Sequence, residues 1–218
     1  MRAKTIKMLI AIVGRYNDLI AGSVRGNGKT MSAVYLAYQD FLAGRKIYTN
    51  FYTTFSETYK INDLIELFEN NELQDATVII DEAQKYLNNS GVKVATRKKI
   101  VGSFIAQTRK RNIDVILTTQ RFSQLHKELR EQTDIVLLSC KYHYNKETQK
   151  LGDLCLRDNC KKTHAIKIYS INAMPPGFVK IDGKSIILNP ITIGQYYDSD
   201  EIVLDDYKEA KKPAKKSV

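Results

Sequence analysis

The chain lacks an apolar run long enough to cross a membrane. Its longest apolar stretch near the N-terminus covers residues 8–13, whereas a membrane-spanning helix needs roughly 20 apolar residues. Arg15 and Asp18 interrupt that stretch, and no small-residue cleavage site of a secretory signal follows. We therefore expect a soluble, cytoplasmic protein with no membrane span.

Cysteine is also scarce. The 218 residues include three cysteines, an odd number, which argues against the disulfide framework of a secreted protein. Basic charge is abundant, because 34 Lys and Arg outnumber 24 Asp and Glu and give a formal net charge of +10. Such an excess indicates a polyanionic partner, nucleic acid first among them. The length and the 43% hydrophobic content suit one α/β domain with an appendage.

A glycine-rich turn lies between a strand-like run and a helix-like run. It consists of Ser23, Val24, Arg25, Gly26, Asn27, Gly28, Lys29 and Thr30. Backbone N–H groups of such a turn bind nucleotide phosphates, the lysine reaches the outer phosphates, and the threonine hydroxyl can ligate Mg2+. The usual motif begins with glycine where this chain has Ser23, and serine is small enough to preserve the turn. The alternative is an ordinary solvent-exposed turn.

A second segment, residues 75–84, supplies acidic side chains. Its β-branched run predicts a strand buried on both faces, and Asp81 and Glu82 follow where that strand ends. In a nucleotide site Asp81 would hold Mg2+ through water, and Glu82 would orient and deprotonate the attacking water. The alternative is a buried strand followed by two solvated acids.

Apolar patterns alternate between strands and helices over the first 140 residues. They predict strands at 19–22, 46–51, around Val78, at 113–118 and at 134–139, and helices at 29–42, 61–68, 94–111 and 122–130. Strands joined in this way predict a central, mostly parallel sheet with helices on both faces.

Beyond residue 140 the pattern changes to alternating hairpins, at 150–156 and 164–171. These predict antiparallel strands at the sheet edge or a small β-hairpin appendage. The basic end, residues 205–218, has no apolar periodicity and predicts a disordered tail. We therefore divide the chain into a core (1–140), a β-rich extension packed on the core (141–204) and the tail.

Four motifs together resemble the FtsK/HerA superfamily of DNA-pumping ATPases, most closely its Zot-like and viral genome-packaging branches. They are the Gly-Lys-Thr turn, GRKIYTN at 44–50, DEAQ at 81–84, and TTQR at 118–121 after a basic helix end. The resemblance covers residues 17–140. It implies a P-loop NTPase fold of the RecA-like ASCE type that binds ATP and Mg2+.

The same resemblance implies roles for single residues. Lys29 and Thr30 would contact phosphate and Mg2+, Asp81 would bind Mg2+, Glu82 would be the catalytic base, and Gln120 would sense the γ-phosphate. For Gln120 the alternative is a surface amide. The resemblance also implies a ring, usually a hexamer, around double-stranded DNA.

From these features we expect an ATP-driven double-stranded DNA translocase of viral origin that packages a genome. It would work with a capsid or capsid-vertex protein, in the host cytoplasm or with the virion. One alternative is a Zot-like phage-extrusion ATPase at a membrane, although those proteins usually continue into a membrane-spanning segment. Another is a nucleotide-switched DNA-binding or partitioning protein, against which Glu82 beside Asp81 favours hydrolysis.

Several basic residues carry two interpretations each. Arg109 or Arg111 could enter a neighbouring subunit's site as an arginine finger, or could belong to a solvated helix end whose dipole favours cations. Arg97 is a weaker candidate for the finger. Residues 88–99 could line a channel and contact DNA phosphates, or form an exposed loop.

Cysteine and histidine side chains recur between residues 140 and 164, at Cys140, His143, Cys155, Cys160 and His164. Their spacing is loosely like that of a tetrahedral zinc site. They could instead be small buried side chains, or include a cross-strand disulfide between Cys155 and Cys160.

Overall fold

A ten-stranded sheet runs through the part of the chain that this computed structural model describes. That part comprises residues 9–16, 19–20, 26–70, 72–87, 108, 110–157, 160–173, 179–188 and 190–197. The strands are β1 Leu9–Tyr16, β2 Leu19–Ile20, β3 Lys46–Thr49, β4 Glu57–Thr58, β5 Ala76–Ile80, β6 Asp114–Arg121, β7 Ile135–Asn145, β8 Lys150–Leu154, β9 His164–Ala173 and β10 Val179–Leu188. The helices are α1 Lys29–Leu42, α2 Ile61–Glu69, α3 Lys127–Gln132 and α4 Pro190–Gly194, with 3-10 turns at Ala83–Lys85 and Phe122–Gln124.

The strand order is β10-β9-β7-β1-β6-β5-β3-β4. Every neighbouring pair from β7 to β4 is parallel. Strands β9 and β10 continue the sheet in antiparallel fashion, and β8 pairs antiparallel with β7. The predicted mostly parallel sheet with flanking helices is therefore confirmed. Because β7 crosses residue 140 as one strand, the antiparallel part extends the same sheet; the division at residues 140 and 204 stays a prediction.

The central strands are buried on both faces, and their alternate side chains face opposite layers. In β6, Val115 and Leu117 pack in one cluster with Leu64 of α2, while Ile116 packs in the other cluster with Val34 of α1. A strand's period of two produces this division. Helix α1 therefore covers one face, and α2 and α3 cover the other.

The prediction for the first strand was correct only in part, because β2 lies within the predicted range whereas β1 was not predicted. The sequence pattern placed a strand at residues 19–22, but the central strand of the sheet is β1, between β6 and β7. Residues 9–13 are all apolar and at most 9% exposed, so their side chains fill both faces of the sheet. Strand β2, with two apolar residues, is too short to do so. Strand β2 only pairs antiparallel with Arg15 and Tyr16 at the end of β1.

Other predictions lie outside the described residues. These are the loop at 88–99 with Arg97, almost all of the helix at 94–111 with Arg109, and the basic tail. The remaining predicted elements are present, with ends that differ by a few residues, except that the predicted helical segment at 122–130 is divided into the 3-10 turn Phe122–Gln124 and helix α3. Within the described part of the chain, no helix is long and apolar enough to cross a membrane.

A buried ion pair joins the amino ends of three neighbouring strands. Arg45, just before β3, places Nη1 2.7 Å from Oδ2 of Asp114 at the start of β6, and the two side chains are 12% and 8% exposed. Its Nη2 donates to the carbonyl of Ala76 in β5 and, at 3.0 Å, to that of Asn112. One guanidinium therefore fixes the relative position of β3, β5 and β6 at this edge.

We predict that Arg45→Met lowers the free energy of unfolding by about 3 kcal/mol, because it removes the cation opposite a buried carboxylate. For a chain of this length the Tm should fall by roughly 6–12 °C in thermal unfolding followed by circular dichroism. Lys127→Met is the control. Lys127 forms an exposed ion pair with Glu131 at 3.6 Å, and its loss should change the Tm by less than about 3 °C. Equal effects of both variants would contradict the prediction.

Candidate active site

The turn before α1 has the backbone conformation of a phosphate cradle. Gly26 and Gly28 have φ values of +68° and +75°, a region that glycine adopts without steric cost. A Cβ at Gly28 would lie 2.5 Å from Cγ1 of Ile166 in β9, so the position excludes a side chain for a second reason. The first residues of the predicted cradle, Ser23, Val24 and Arg25, lie outside the described residues.

Strand β7 supports this turn through Ser139 and passes close to it at Lys141, whose Nζ donates to the carbonyl of Arg157 at 2.8 Å. Ser139 Oγ donates to the carbonyl of Asn27 at 2.6 Å and lies 3.1 Å from Ser32 Oγ in α1. Nζ of the buried Lys141 is 3.9 Å from the position of a Cβ on Gly26. The cradle is therefore held by a strand more than 100 residues later in the chain.

Lys29, Gln120 and Glu82 form a continuous line of hydrogen bonds. Lys29 Nζ donates to Gln120 Oε1 at 3.0 Å, and Gln120 Nε2 donates to Glu82 Oε1 at 3.0 Å. The three side chains come from the start of α1, the end of β6 and the turn after β5. Because β5 and β6 are adjacent and parallel, their carboxyl ends meet where ligands bind in α/β sheets.

Asp81 is fixed next to the threonine of the cradle. Thr30 Oγ1 lies 3.1 and 3.2 Å from the two carboxylate oxygens of Asp81, and Thr118 Oγ1 also donates to Oδ1. Asn50 binds the backbone of Asp81 on both sides, donating from Nδ2 to its carbonyl at 3.1 Å and accepting from its N–H at 2.8 Å. Hydroxyl and carboxylate oxygens are the ligand types that Mg2+ prefers, so the donor set fits this ion.

Glu82 is held in a left-handed backbone conformation, with φ of +52°. Such a conformation costs of order 1–3 kcal/mol for a residue with a side chain and persists where the surroundings enforce it. Here the N–H of Glu82 donates to Thr118 Oγ1 at 3.0 Å. Gln84 Nε2 donates to Glu82 Oε2 at 2.6 Å, so each carboxylate oxygen receives one amide. The carboxylate is thereby oriented toward Gln120 and Lys29.

Burial shifts the pKa values of charged groups in the cluster. It lowers the pKa of Lys29, which the charges of Glu82 and Asp81 raise in part. It raises the pKa of Asp81, against which hydrogen bonds from Thr118 and Thr30 act. Burial, together with the Asp81 charge, also raises the pKa of Tyr197 to about 12. A neutral phenol therefore remains in the field of the Asp81 carboxylate at neutral pH.

Arg111 is not part of this cluster. It precedes β6, and its carbonyl accepts from the N–H of Asp75 just before β5 at 3.1 Å, which places it at the amino edge of the sheet. Gln120 is near the other end of β6, and a strand of this length separates the two by roughly 30 Å. Arg111 therefore lies far from the site of its own chain, and any finger role would act on a neighbouring subunit.

Sequence reasoning missed four residues that support the site: Asn50, Gln84, Thr118 and Ser139. A usable signal existed for Asn50 and Thr118, since polar residues near the carboxyl ends of adjacent parallel strands converge at one edge. Gln84 is two residues after Glu82, and many turn conformations allow that separation. The sequence therefore does not indicate that the two side chains form a hydrogen bond. Ser139 lies within β7, where nothing in the local sequence indicates contact with the cradle.

Comparisons with known proteins agree with this architecture. The family model for zonular occludens toxin (Zot) matches residues 19–170. The crystal structure of the N-terminal domain of zonular occludens toxin from Neisseria meningitidis is 18% identical, with a TM-score of 0.51, over 88% of this chain and 100% of that chain. The genome packaging NTPase B204 of Sulfolobus turreted icosahedral virus 2, in complex with ATP-gammaS, is 14% identical over 80% of this chain and 96% of its own, with a TM-score of 0.48. A comparison with curated protein sequences found no match.

We predict that Asp81→Asn stabilises the nucleotide-free protein at neutral pH. Because the pKa of Asp81 is raised in the fold, its carboxyl contributes stability below the unfolded pKa of about 3.9, and this contribution is lost as the pH rises through the folded pKa. The amide of the variant does not ionise, so the variant does not lose this stability as the pH rises. The Tm of the variant should exceed that of the wild type by about 2–4 °C at pH 7, and the difference should shrink toward pH 4.

Glu66→Gln provides the control, since it removes an exposed carboxylate from α2 and should leave the Tm unchanged within about 1 °C. Thermal unfolding at several pH values gives both comparisons. A lower Tm for Asp81→Asn than for the wild type at pH 7 would show that the hydrogen bonds to Asp81 outweigh the cost of burying its charge.

Proposed function

The chain belongs to the zonular occludens toxin (Zot) family, and from this premise we propose that it is an ATP hydrolase that moves double-stranded DNA. Its P-loop NTPase fold provides the cradle, and the hydrogen-bonded line from Lys29 through Gln120 to Glu82 is the observation that carries the proposal. A phosphate-binding lysine and a water-activating carboxylate joined by one amide suit hydrolysis of a phosphoanhydride.

The residues divide into binding and catalytic roles. Backbone N–H groups of the cradle, from Ser23 to Gly28, and the Lys29 ammonium would hold the phosphates of ATP. Thr30 and Asp81 would hold Mg2+, which neutralises phosphate charge when bound. Glu82 would orient the attacking water and accept its proton. Gln84 would position Glu82 through the hydrogen bond to Oε2.

Gln120 would report whether the outer phosphate site is filled. In this structure its Oε1 accepts from Lys29, and its Nε2 donates to Glu82. When Lys29 turns to a phosphate, Gln120 Oε1 loses that donor and becomes free to accept from the attacking water. The same amide thereby links phosphate binding to the catalytic base, which is the behaviour of a γ-phosphate sensor.

The charge of the chain supports DNA as the cargo. A formal net charge of +10 favours a polyanion, and contacts to phosphates alone would be independent of base sequence. We propose that the protein acts as a ring, and the family resemblance implies that this ring is a hexamer. We further propose that it packages a viral genome together with a capsid or capsid-vertex protein. Arg111 or Arg109 would complete the site of a neighbouring subunit.

A second candidate is an ATPase that drives phage extrusion at a membrane. The Zot family match over residues 19–170 favours it. ATPase rates with duplex DNA and with anionic lipid vesicles separate the two candidates. Stimulation by DNA alone, steeply reduced by salt because counterions are released on binding, supports packaging, whereas stimulation by vesicles supports extrusion. A nucleotide switch would show neither stimulation nor multiple turnovers.

We predict that Lys29→Ala and Glu82→Gln separate binding from chemistry. Lys29→Ala should weaken ATP binding roughly 10- to 100-fold, because it removes a charged hydrogen bond to phosphate. Glu82→Gln should bind ATP within a few-fold of the wild type while kcat falls by about 10²- to 10⁴-fold, since water activation is lost. Nucleotide titration and steady-state phosphate release give the two numbers.

Lys46→Ala is the matched control, because Lys46 is exposed at the amino end of β3, away from the cradle. It should match the wild type in both assays. Undiminished hydrolysis by Glu82→Gln would contradict the assignment of the catalytic base, and unchanged ATP affinity of Lys29→Ala would contradict that of the phosphate contact.

We predict that two inactive variants restore activity when mixed, if an arginine acts across subunits. Arg111→Ala and Glu82→Gln chains in one ring create interfaces where an intact Arg111 faces an intact Glu82. A chain carrying both substitutions, mixed with Arg111→Ala, is the control and should restore nothing. The same series with Arg109 identifies which arginine acts. No restoration in either series would contradict the ring arrangement.

A further inference from the structure

Four side chains converge at the antiparallel side of the sheet, away from the nucleotide cluster. They are His143 in β7, Cys155 just after β8, Cys160 in the β8–β9 connection and His164 at the start of β9. Each offers one ligand atom, and these atoms all lie within 4.8 Å of one another. The chain has only three cysteines and three histidines, so two thirds of each type gather here.

The strand pairing brings these residues together. His143 and His164 are directly opposite each other across β7 and β9, with ring centroids 5.4 Å apart. The N–H of Cys155 donates to the carbonyl of Lys141 in β7 at 2.8 Å, which brings the end of β8 to the same place. The return of the chain from β8 to β9 then adds Cys160.

One separation between ligand atoms matches that expected around a tetrahedral zinc ion. Zn–S bonds of about 2.3 Å and Zn–N bonds of about 2.05 Å at tetrahedral angles place a sulfur and a nitrogen about 3.5 Å apart. Cys160 Sγ lies 3.5 Å from His143 Nε2. Two thiols and two imidazoles complete a closed set of four ligands, the composition of structural rather than catalytic zinc sites.

A second observation points to a missing ligand. Nε2 of His164 is buried and has no hydrogen-bond partner among the residues that the structure describes, although a buried polar atom left unsatisfied costs about 1–3 kcal/mol. The buried Cys155 thiol makes a long contact of 3.7 Å with the carbonyl of Arg157 and lies beside the thiol of Cys160. Both atoms are satisfied at once if they bind a metal.

We propose that His143, Cys155, Cys160 and His164 bind a structural zinc ion. Cys140 does not belong to the site, in contrast to the five-residue group suggested by sequence. It packs in an apolar cluster with Val13, Val136 and Leu138, and burial raises the pKa of its thiol to about 12. The three cysteines are free thiols in this structure.

The site stabilises the strands that support the phosphate cradle. His164 is two residues before Ile166, which fills the space beside Gly28, and His143 is two residues after Lys141, whose Nζ approaches Gly26. Because side chains two apart share one face of a strand, the ion would fix both supports. Loss of zinc should therefore weaken nucleotide binding. This second consequence rests on the proposed function, whereas the metal content does not.

The test measures metal in the full-length protein purified without chelator. Elemental analysis should give about one zinc per chain. Cobalt added to protein freed of zinc should give the visible absorption of a tetrahedral thiolate complex. X-ray absorption at the zinc edge should find two sulfur and two nitrogen ligands at the bond lengths above. Removing zinc should lower the Tm by roughly 5 °C or more, and should raise the Kd for ATP several-fold.

Variants supply the matched comparison. Cys155→Ser, Cys160→Ser, His143→Ala and His164→Ala should each lose most of the bound zinc. Cys140→Ala and His126→Asn alter the third cysteine and the third histidine and should keep it; asparagine preserves a capping side chain at the start of α3. If a ligand variant fails to fold, the cobalt spectrum and the absorption edge of the wild type still decide.

Three results would overturn the proposal. They are folded wild-type protein without zinc and without a cobalt spectrum, zinc retained by all four ligand variants, or a Cys155–Cys160 disulfide found by mass spectrometry of protein purified without reductant. Zinc content as predicted with no effect on ATP binding would keep the metal site and overturn its support of the cradle. Failure of ATP binding in zinc-loaded wild type would instead contradict the proposed function.

Discussion

The parallel pairing of β5 with β6 is the constraint on which the candidate site depends. It places the turn carrying Asp81 and Glu82 beside the end of β6, within reach of Thr118 and Gln120. A shift of one residue in this register would turn the alternating side chains to the opposite face and separate the carboxylates from the amide. The Arg45–Asp114 ion pair holds the register at the other edge of the sheet. The amino edge of the sheet therefore fixes the relative position of the strands. The carboxyl edge carries the candidate site, whose geometry depends on that position.

The buried charges and the strained backbone of the candidate site lower the stability of the fold. Lys29 and Asp81 are both nearly buried, burial disfavours the charged form of each, and Glu82 adopts a strained backbone conformation. Opposite charges and phosphates of a bound nucleotide would offset the cost for Lys29, and a divalent cation would do so for Asp81.

Much of the parallel core could be predicted from sequence because its signals are local. The helix at Lys29–Leu42 follows from a glycine-rich start and an apolar face, and the burial of β5 follows from its β-branched run. Once the strands are predicted to be parallel, the residues at their carboxyl ends can also be predicted to lie close together. Their chemical roles stay predictions, since geometry alone does not measure turnover.

What could not be predicted depends on contacts distant in sequence. The apolar run at residues 8–13 is a local signal for a strand, but the position of β1 between β6 and β7 depends on pairing with residues more than 100 positions away. Ser139 contacts Asn27 across more than 100 residues, and Ile166 limits the space at Gly28 from another strand. The cysteine and histidine spacing was ambiguous for the same reason, because the register of β7 against β9 decides which residues meet.

The antiparallel extension can be understood through its position beside the cradle. The glycine-rich turn is supported from β7 by the hydrogen bond of Ser139 and from β9 by the close approach of Ile166 to Gly28. The far ends of these strands lie at the margin of the sheet, where half-buried and exposed side chains leave little apolar core. A metal ion can fix strands that have no large apolar core. The four proposed ligands converge at these strand ends, where few apolar side chains are buried. The support of the nucleotide turn would then rest on packing near the cradle and on coordination at its far end.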